Sequence, residues 1–507
     1  MRKFDTKVQL LKYKVLREVA RIAFDEGEFS LANNFNDIAK TVTSDKATMR
    51  CCIYKERAIV AERIKLACGG NRANPNIIEV IDIACDECPA SGYQVSHDCR
   101  GCIAHRCESA CRKGAISFDE NQKAHIDKTK CVNCGQCAKV CPYSAISNYT
   151  RPCEKACKIK AISMADSEEN PAQIDNNKCI NCGACSYACP FGAIMDKSFI
   201  LDAIRILKDS NKGDGFNVYA VVAPSIASQF VYAKLGQVVT AIKKLGFYSV
   251  VEAALGADIV AYSESKELAE KGFLTSSCCP AFVDYVKKFY PKLTENISHN
   301  LSPMAAIAKY IKETDETAKV IFIGPCTAKK AEAKQERVAQ YVDCVLTFEE
   351  LQALIDSRNI ELTELPEDVL DNASYYGRIF ARSGGVSEAV GQAIKEQNID
   401  FTVDPLPCDG IEECKTALLK ASRGILKNNF IEGMACVGGC IGGAGCLTHE
   451  AKDKNEIDKY GKEALEKSIG DALSQLQKSS FRNAGNFSCV LFLYKYDFSS
   501  NNYLTKG

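Results

Sequence analysis

Apolar and polar residues alternate with a helical period over the first part of the chain. The apolar face is formed by Val8, Leu11, Val15, Val19 and Ile22. Spacing of three to four positions is typical of an amphipathic α-helix. A second helical stretch covers residues 53–60, and the Gly69-Gly70 pair marks its end. The pattern predicts a helical cap at the N-terminus.

A different pattern begins after the polar, glycine-containing segment 209–215. Continuous apolar runs at 218–222 and 320–323 alternate with amphipathic helical stretches, and each run passes into a proline-containing loop. This alternation favours an α/β sheet, and such sheets bind ligands at the carboxyl ends of their strands. The loops in question are Ala223-Pro224-Ser225 and Gly324-Pro325-Cys326.

Between these regions the cysteines repeat. The order Cys-x-x-x-Cys, Ala-Ile-Ser, Ile-Asp and Lys-Cys-x-Asn-Cys-Gly begins at Cys107 and again at Cys153, an offset of 46 to 48 residues. An internal repeat of this length indicates a duplicated unit. We therefore predict a multidomain chain of α+β and α/β class, divided into a helical region (1–84), a ferredoxin-like region of two repeats (85–200), an α/β domain (216–475) and a tail without a clear pattern (476–507).

Composition narrows the class of protein. The chain has 29 cysteines among 507 residues, and 64 basic residues balance 64 acidic ones. A formally neutral chain without a long basic run gives no support for nucleic acid as a partner. We find neither a membrane-length apolar run nor an apolar signal segment, so we expect a cytoplasmic protein whose cysteines bind metal instead of forming disulfides.

The cysteine spacing points to iron–sulfur clusters. The pattern Cys-x-x-Cys-x-x-Cys-x-x-x-Cys-Pro occurs twice, and a looser version precedes it. In bacterial ferredoxins with this pattern the fourth cysteine binds the other cluster. A zinc site or free thiols are the alternatives. Crossing the fourth cysteines predicts three 4Fe–4S clusters: Cys99, Cys102 and Cys107 with Cys141; Cys131, Cys134 and Cys137 with Cys111; and Cys179, Cys182 and Cys185 with Cys157.

This assignment leaves Cys153 and Cys189 without partners. The repeat offset places the missing ligands near Ala145 and Asn148, whose side chains do not bind iron. The nearest unassigned pair with chelating spacing is Cys85-x-x-Cys88. We hypothesise a fourth cluster from these four cysteines; the alternative is that Cys85 and Cys88 merely pack. The remaining N-terminal thiols, Cys51, Cys52 and Cys68, are expected to pack in the helical cap.

Three further cysteine signals lie in the α/β region. They are Ser276-Ser277-Cys278-Cys279-Pro280, Pro325-Cys326-Thr327-Ala328-Lys329 and Glu432-Gly433-Met434-Ala435-Cys436-Val437-Gly438-Gly439-Cys440. In this order they resemble the three signatures of FeFe hydrogenases, and residues from about 216 to 450 resemble that catalytic domain. The upstream array resembles the accessory-cluster domains of the same family.

The resemblance implies an H-cluster, in which a 4Fe–4S cubane joins a two-iron subsite carrying carbon monoxide, cyanide and an azadithiolate. It implies that Cys279, Cys326, Cys436 and Cys440 hold the cubane. Around the two-iron part it implies contacts from Lys329, Ser225 with Pro224, and Met434, with Glu332 supporting the lysine. It implies a proton path through Cys278, Glu264, Ser298 and Glu267.

The implied activity is reversible conversion of two protons and two reduced ferredoxins to dihydrogen, with dedicated maturases supplying the two-iron part. Two alternatives stay open: a hydrogen or redox sensor of the same family, and a non-enzymatic iron–sulfur protein similar to prelamin-binding or cytosolic assembly relatives. Some residues depart from the best-known branch. Gly324 stands where methionine is common, and Met304 and Cys446 stand where glutamine is usual.

Overall fold

The computed structural model describes residues 4–474 except residue 90 and residues 165–170, together with residue 476. The N-terminal region is helical, as predicted. It consists of α1 (Lys7–Asp25), α2 (Phe29–Val42) and α3 (Ile53–Ala67). The Thr6 side chain caps α1 by accepting a hydrogen bond from the backbone N–H of Gln9 (3.1 Å). Within the predicted apolar face Val15 and Val19 are fully buried, and α3 ends two residues before Gly69. The expectation of packed thiols is wrong for Cys51, which is exposed.

The cysteine-rich region folds into short antiparallel pairs of strands. Its elements are β1 (Ile78–Val80), β2 (Gly92–Val95), α4 (Arg106–Ser109), β3 (Ile116–Phe118), β4 (Ala124–Ile126), α5 (Gln136–Lys139), β5 (Ile146–Tyr149), α6 (Pro152–Ala156), β6 (Ile162–Met164), β7 (Ala172–Ile174), α7 (Ala184–Ala188) and β8 (Ile194–Asp196). The pairs are β1 with β8, β2 with β5, β3 with β4, and β6 with β7. We call residues 99–149 the outer repeat and residues 153–196 the inner repeat.

The remaining elements form the α/β domain. They are α8 (Ile200–Asp209), β9 (Val218–Val222), α9 (Leu235–Lys244), β10 (Ser249–Glu252), α10 (Ala253–Lys271), β11 (Leu274–Thr275), α11 (Pro280–Phe289), α12 (Pro303–Thr314), β12 (Lys319–Gly324), α13 (Thr327–Glu332), α14 (Glu336–Ala339), β13 (Cys344–Thr347), α15 (Phe348–Ser357), α16 (Tyr375–Ile379), α17 (Gly385–Glu396), β14 (Pro405–Asp409), α18 (Ile411–Ser422), β15 (Phe430–Met434) and α19 (Asp453–Lys462). The predicted strands at 218–222 and 320–323 are confirmed as β9 and β12.

Two parallel sheets organise this domain. One has the strand order β10-β9-β12-β13 and the other β11-β15-β14. Helices cover the strands, and a large apolar core surrounds β9, β12 and β13. The fold class is therefore as predicted: helices, ferredoxin-like units and an α/β domain with parallel sheets.

A buried ionic network joins the three regions. Lys12 of α1 binds Asp196 of β8 and Glu349 of α15, and Lys330 of α13 binds Asp196 (2.9 Å) and Glu350 (2.9 Å). All five side chains are buried. Removing one partner of such a network strands a charge away from water, which is costly, so the network fixes the inner repeat against the α/β domain.

None of the helices in the described part of the chain has the length and apolarity that a bilayer span requires. The tail predicted at 476–507 lies outside the described residues, apart from residue 476.

Candidate metal centre and active site

Four cysteines follow the carboxyl ends of strands from both sheets. Cys279 follows β11 and caps α11, and Cys326 follows β12 and caps α13. Cys436 follows β15, and Cys440 begins a short 3₁₀ turn, Cys440–Gly442. Three separate loops therefore meet where the two parallel sheets end, which is the usual ligand-binding edge of such sheets.

The electrostatics of these four thiols places them next to one another. Burial raises the pKa of Cys440 to about 12, and the charges of Cys326 and Cys279 add to the rise. Burial likewise raises the pKa of Cys436, with contributions from the same two thiols and from Cys440. Thiols held together without a cation resist ionisation, and an iron–sulfur core supplies the missing positive charge. The donor set therefore fits a cubane cluster.

A buried lysine points at the same place. The Lys329 ammonium donates hydrogen bonds to the carboxylate of Glu332 (2.7 Å) and to the carbonyl oxygen of Cys278 (3.3 Å). Burial alone lowers the pKa of Lys329, but the adjacent Glu332 carboxylate raises it above its ordinary value. The lysine is thus held as a cation one turn from Cys326, in the position for a charge-assisted hydrogen bond to an anionic ligand.

Two more predicted contacts lie on the loops around this lysine. Ser225, in the 3₁₀ turn Pro224–Ser228 after β9, is fully buried, and its hydroxyl has no hydrogen-bond partner within the described residues. A buried hydroxyl without a partner is costly, so this one fits an acceptor that the protein itself does not provide. Met434 is buried at the end of β15.

The residues of the predicted proton path lie in a row of neighbouring side chains. Cys278 and Glu264 are close enough for the carboxylate charge to raise the pKa of the thiol, after burial, which is the largest cause. Burial raises the pKa of Glu264 to about 8, although the Ser298 hydroxyl acts in the opposite direction. The Ser298 hydroxyl donates to Glu267 (2.9 Å), so it lies between the two carboxyl groups. One Glu264 oxygen has no partner among the described residues.

The outer end of this row was missed by the sequence analysis. Lys271 binds Glu267 (2.8 Å), and the backbone N–H of His299 and the side chain of Asn300 also donate to that carboxylate. Residues at i and i+4 share one face of a helix, so the position of Lys271 relative to Glu267 was a usable signal. The contacts of His299 and Asn300 depend on the tertiary fold.

The thiols predicted for the three regular accessory clusters also converge. One cavity is lined by Cys99, Cys102, Cys107 and Cys141, and a second by Cys157, Cys179, Cys182 and Cys185. In the set formed by Cys111, Cys131, Cys134 and Cys137, burial raises the pKa of Cys137, and the charges of Cys111 and Cys131 raise it further. Among the described cysteines none forms a disulfide. In the same part of the chain, no three or more His, Cys, Asp or Glu side chains are spaced for a single ion.

The inner repeat touches the loops of the four-cysteine centre. The Thr327 hydroxyl donates to the carbonyl of Asn181 (2.7 Å). Gly183 has a left-handed φ of +76°, and a Cβ there would lie 2.5 Å from the Cβ of Ala444. Cys182 contributes to the raised pKa of Cys436. These contacts bring the loop of Cys182 against the loops of Cys326 and Cys440. The sequence did not indicate them, because Thr327 and Ala444 carry no metal-binding chemistry.

The departures in sequence have local packing reasons. A Cβ at Gly324 would lie 2.6 Å from the ring of Phe322 and 3.0 Å from the Cβ of Ala223, so the ring occupies the space of a larger side chain. Cys446 is fully buried behind Cys440, and its thiol donates to the carbonyl of Ile441 (3.4 Å). Met304 is buried in α12.

Comparison with known families agrees with this geometry. Residues 216–444 match the model of the iron-only hydrogenase large subunit, C-terminal domain. Residues 98–145 match a 4Fe–4S dicluster domain, and residues 172–195 match a 4Fe–4S binding domain. The α/β domain is therefore a domain of the iron-only hydrogenase large-subunit family, preceded by 4Fe–4S domains. The hydrogenase domain and the ferredoxin-like domains therefore lie in the order that the sequence predicted.

Individual relatives cover much of the chain. Iron hydrogenase 1 of Clostridium pasteurianum is 28% identical over 397 residues, 67% of this chain and 68% of that relative. The periplasmic Fe hydrogenase large subunit of Nitratidesulfovibrio vulgaris is 29% identical over 388 residues, 64% of this chain and 87% of the relative. A nuclear prelamin A recognition factor of Xenopus laevis is 24% identical over 40% of this chain and 57% of its own. A solved apo FeFe-hydrogenase from Chlamydomonas reinhardtii aligns with TM-score 0.46 and 20% identity over 55% of this chain and 94% of its own.

Proposed function

We propose that this protein is an FeFe hydrogenase that interconverts protons and dihydrogen, with electrons from a ferredoxin-type carrier. The two-iron part of an H-cluster, when bound, supplies the chemistry of making and breaking the hydrogen–hydrogen bond. The chain holds that group, excludes water around it, and moves protons and electrons to it.

The observation that carries the proposal is the pair formed by Lys329 and Cys278. A plain cubane requires four thiolates and nothing more. Here a fifth thiol adjoins the set, and a buried cation bonds the carbonyl of that same residue. Glu332 keeps this lysine charged, and since an ammonium has three N–H donors, of which Glu332 and Cys278 accept two, the arrangement supports a second, anionic group beside the cubane.

The protein also has the parts of a proton path. A carboxyl group whose pKa is about 8 holds its proton near neutral pH and can pass it on. Glu264 is such a group, and Ser298 connects it with Glu267, which is only partly buried. The proposed path leads from solvent at Glu267 through Ser298 and Glu264 to the thiol of Cys278.

Electrons would enter through the accessory clusters. The outer repeat exposes Cys134 and the apolar side chains of Ile103, Val132 and Tyr143, which supports docking of a small electron carrier there. The inner repeat contacts the loops of the catalytic centre and would deliver the electrons. Maturases that insert the two-iron part are partners by the same proposal.

Infrared spectroscopy after anaerobic maturation tests the proposal. We expect metal-bound carbonyl and cyanide bands, together with hydrogen evolution from reduced ferredoxin. Full iron loading without those bands would overturn the proposal and favour a non-enzymatic iron–sulfur protein. Bands without appreciable turnover would favour a sensor.

A matched pair of variants tests the proton path. Cys278→Ala is expected to lower hydrogen evolution by about 10²–10⁴-fold, since general acid–base groups contribute that much. Cys344→Ala removes a buried thiol that donates to the Phe199 carbonyl away from the site, and it is expected to keep the wild-type rate. Equal rates in both variants, with unchanged infrared bands, would exclude Cys278 as the proton carrier.

A further inference from the structure

The two repeats carry the same hydrogen bonds to cysteine sulfur. In each, the amide N–H four residues after the last cysteine of a Cys-x-x-x-Cys unit donates to that sulfur: Ala115 to Cys111 (3.3 Å) and Ala161 to Cys157 (3.1 Å). The N–H of Ala193 does the same for Cys189 (3.3 Å). Backbone amides that point at cysteine sulfur are the usual surroundings of iron–sulfur clusters and tune their potential.

A second hydrogen bond marks the missing ligand. In the outer repeat the first N–H of β4, from Ala124, donates to Cys99 (3.5 Å). In the inner repeat the first N–H of β7, from Ala172, donates to Cys85 (3.4 Å). Ala124 and Ala172 are equivalent positions of the repeat. Cys85 therefore occupies in the inner repeat the place that Cys99 occupies in the outer one, although it lies upstream of both repeats.

Two strand pairings explain how Cys85 reaches this place. β1 pairs with β8 in the register Val80 to Ile194, and the N–H of Ile81 continues the ladder to the Ala193 carbonyl (2.7 Å). β2 pairs with β5 in the register Gly92 to Tyr149. The loop between β1 and β2 carries Cys85 and Cys88. It is fixed at one end beside Cys189 and at the other beside the turn that leads to Cys153.

The surroundings are dry, and of the arginines near these thiols, Arg50, Arg63 and Arg151, only Arg151 has a described contact with a sulfur. Cys85, Cys153 and Cys189 are buried in one apolar cluster together with residues of α3, β1 and β8. Arg151 is also buried; its guanidinium contacts the sulfur of Cys85 (3.9 Å) and donates to the carbonyls of Cys88 (3.4 Å) and Pro89 (3.1 Å). A fixed positive charge beside a cluster favours its reduced form and raises its potential.

We propose that Cys85, Cys88, Cys153 and Cys189 bind a fourth accessory 4Fe–4S cluster, the buried counterpart of the cluster assigned to Cys99, Cys102, Cys107 and Cys141, and that Arg151 raises its reduction potential. The matched family models divide this region into a dicluster unit at 98–145 and a single-cluster unit at 172–195, and neither range contains Cys85, Cys88 or Cys153. The proposal goes beyond the proposed hydrogenase activity, because cluster content does not depend on turnover.

The test is a count of iron and acid-labile sulfide on the full chain, reconstituted anaerobically without the two-iron part. The double variant Cys85→Ala/Cys88→Ala is expected to lose about four iron atoms and four sulfides per chain. Cys99→Ala/Cys102→Ala is the positive control and is expected to lose the same amount. Cys68→Ala, in the same N-terminal part of the chain, is expected to lose none. Unchanged iron in the first variant would overturn the proposal.

A second variant keeps the proposal testable if the double variant does not fold. Arg151→Gln retains all four thiols and is expected to keep the wild-type iron content. Potentiometric titration followed by electron paramagnetic resonance should then show one cluster signal shifted to lower potential and the others unchanged. An unshifted set of signals would overturn the role of Arg151. An iron content of the wild-type protein that falls short by one cluster would overturn the cluster itself.

Discussion

The outer and inner repeats share their cysteine spacing but differ in what surrounds them. The outer repeat has a small core of four buried residues, Ile116, Ala124, Cys137 and Ile146, and exposes Cys134. The inner repeat shares a larger apolar cluster with α3, β1 and β8 and is bonded to the α/β domain through Asn181. Equal ligand patterns therefore create sites of unequal solvation, and solvation sets cluster potential. This difference supports the proposal that electrons enter at the outer repeat and leave from the inner one.

The largest expected effect comes from removing one cysteine in each repeat. Cys182→Ala is expected to abolish hydrogen evolution from reduced ferredoxin, because Cys182 lies next to Cys436 of the catalytic set. Cys134→Ala removes a ligand from the exposed cluster and is expected to leave evolution from a small viologen donor near wild type. Hydrogen release with both donors is the measurement. Equal losses in the two variants with viologen would remove the distinction between entry and delivery.

The buried carboxyl group of the proposed proton path, Glu264, leads to a prediction about the pH dependence of stability. Burial raises the pKa of Glu264 from 4.5 to about 8. The folded chain therefore retains a proton that the unfolded chain releases, and its contribution to stability is lost as pH rises from about 4.5 to about 8. Wild type should lose up to about 1.4 kcal/mol of unfolding free energy per pH unit relative to Glu264→Gln.

Urea unfolding between about pH 5 and about pH 9, which covers most of that range and passes its upper end, provides the measurement. Parallel curves for wild type and Glu264→Gln would show that Glu264 is ionised in the folded protein and would remove it as a proton donor.

Equivalent glycines sharpen the comparison of the repeats. Gly135 and Gly183 precede α5 and α7 with φ of +73° and +76°. Alanine costs about 1–2 kcal/mol at each for the left-handed conformation. At Gly183 the Cβ also meets Ala444 and Thr327, adding about 1–3 kcal/mol of overpacking, whereas at Gly135 it meets the end of the Tyr93 side chain, which can move. Unfolding midpoints should therefore fall further for Gly183→Ala, and the reverse order would contradict the tight inner contact.

Equivalent asparagines give the smallest effect. The side chains of Asn133 and Asn181 accept backbone N–H bonds from Tyr93 (3.2 Å) and Ile77 (2.9 Å), respectively. Asn181 and Ile77 are buried, and Asn133 is exposed. Both positions have a left-handed φ, so that conformational cost of alanine is common to the two variants. Beyond it, Asn181→Ala leaves a buried donor unpaired and should cost about 1–3 kcal/mol, whereas water replaces the acceptor in Asn133→Ala, which should add below about 1 kcal/mol. Unfolding free energies test this, and equal costs would show that the inner loop is hydrated.

The sequence by itself determined the classes of element and predicted most of the candidate ligands. Period and run length predicted α1, α3, β9 and β12, because burial of an apolar face or strand leaves a direct mark on residue order. Cysteine spacing predicted the ligand sets within each loop, because a short loop constrains which thiols can share a cluster. The resemblance of the three signature stretches to those of FeFe hydrogenases predicted the cubane thiols and Lys329.

Only the tertiary structure decided which contacts form between loops that are distant in sequence. It brings Cys85 to the place equivalent to Cys99, and no repeat offset indicates this, because the link runs through the pairing of β1 with β8. It brings Gly183 against Ala444, and Lys12 to Asp196 and Glu349. Contacts of this kind depend on strand pairing and shape complementarity across the whole chain. Residues that make them need no special chemistry of their own, and their identity alone therefore does not reveal them.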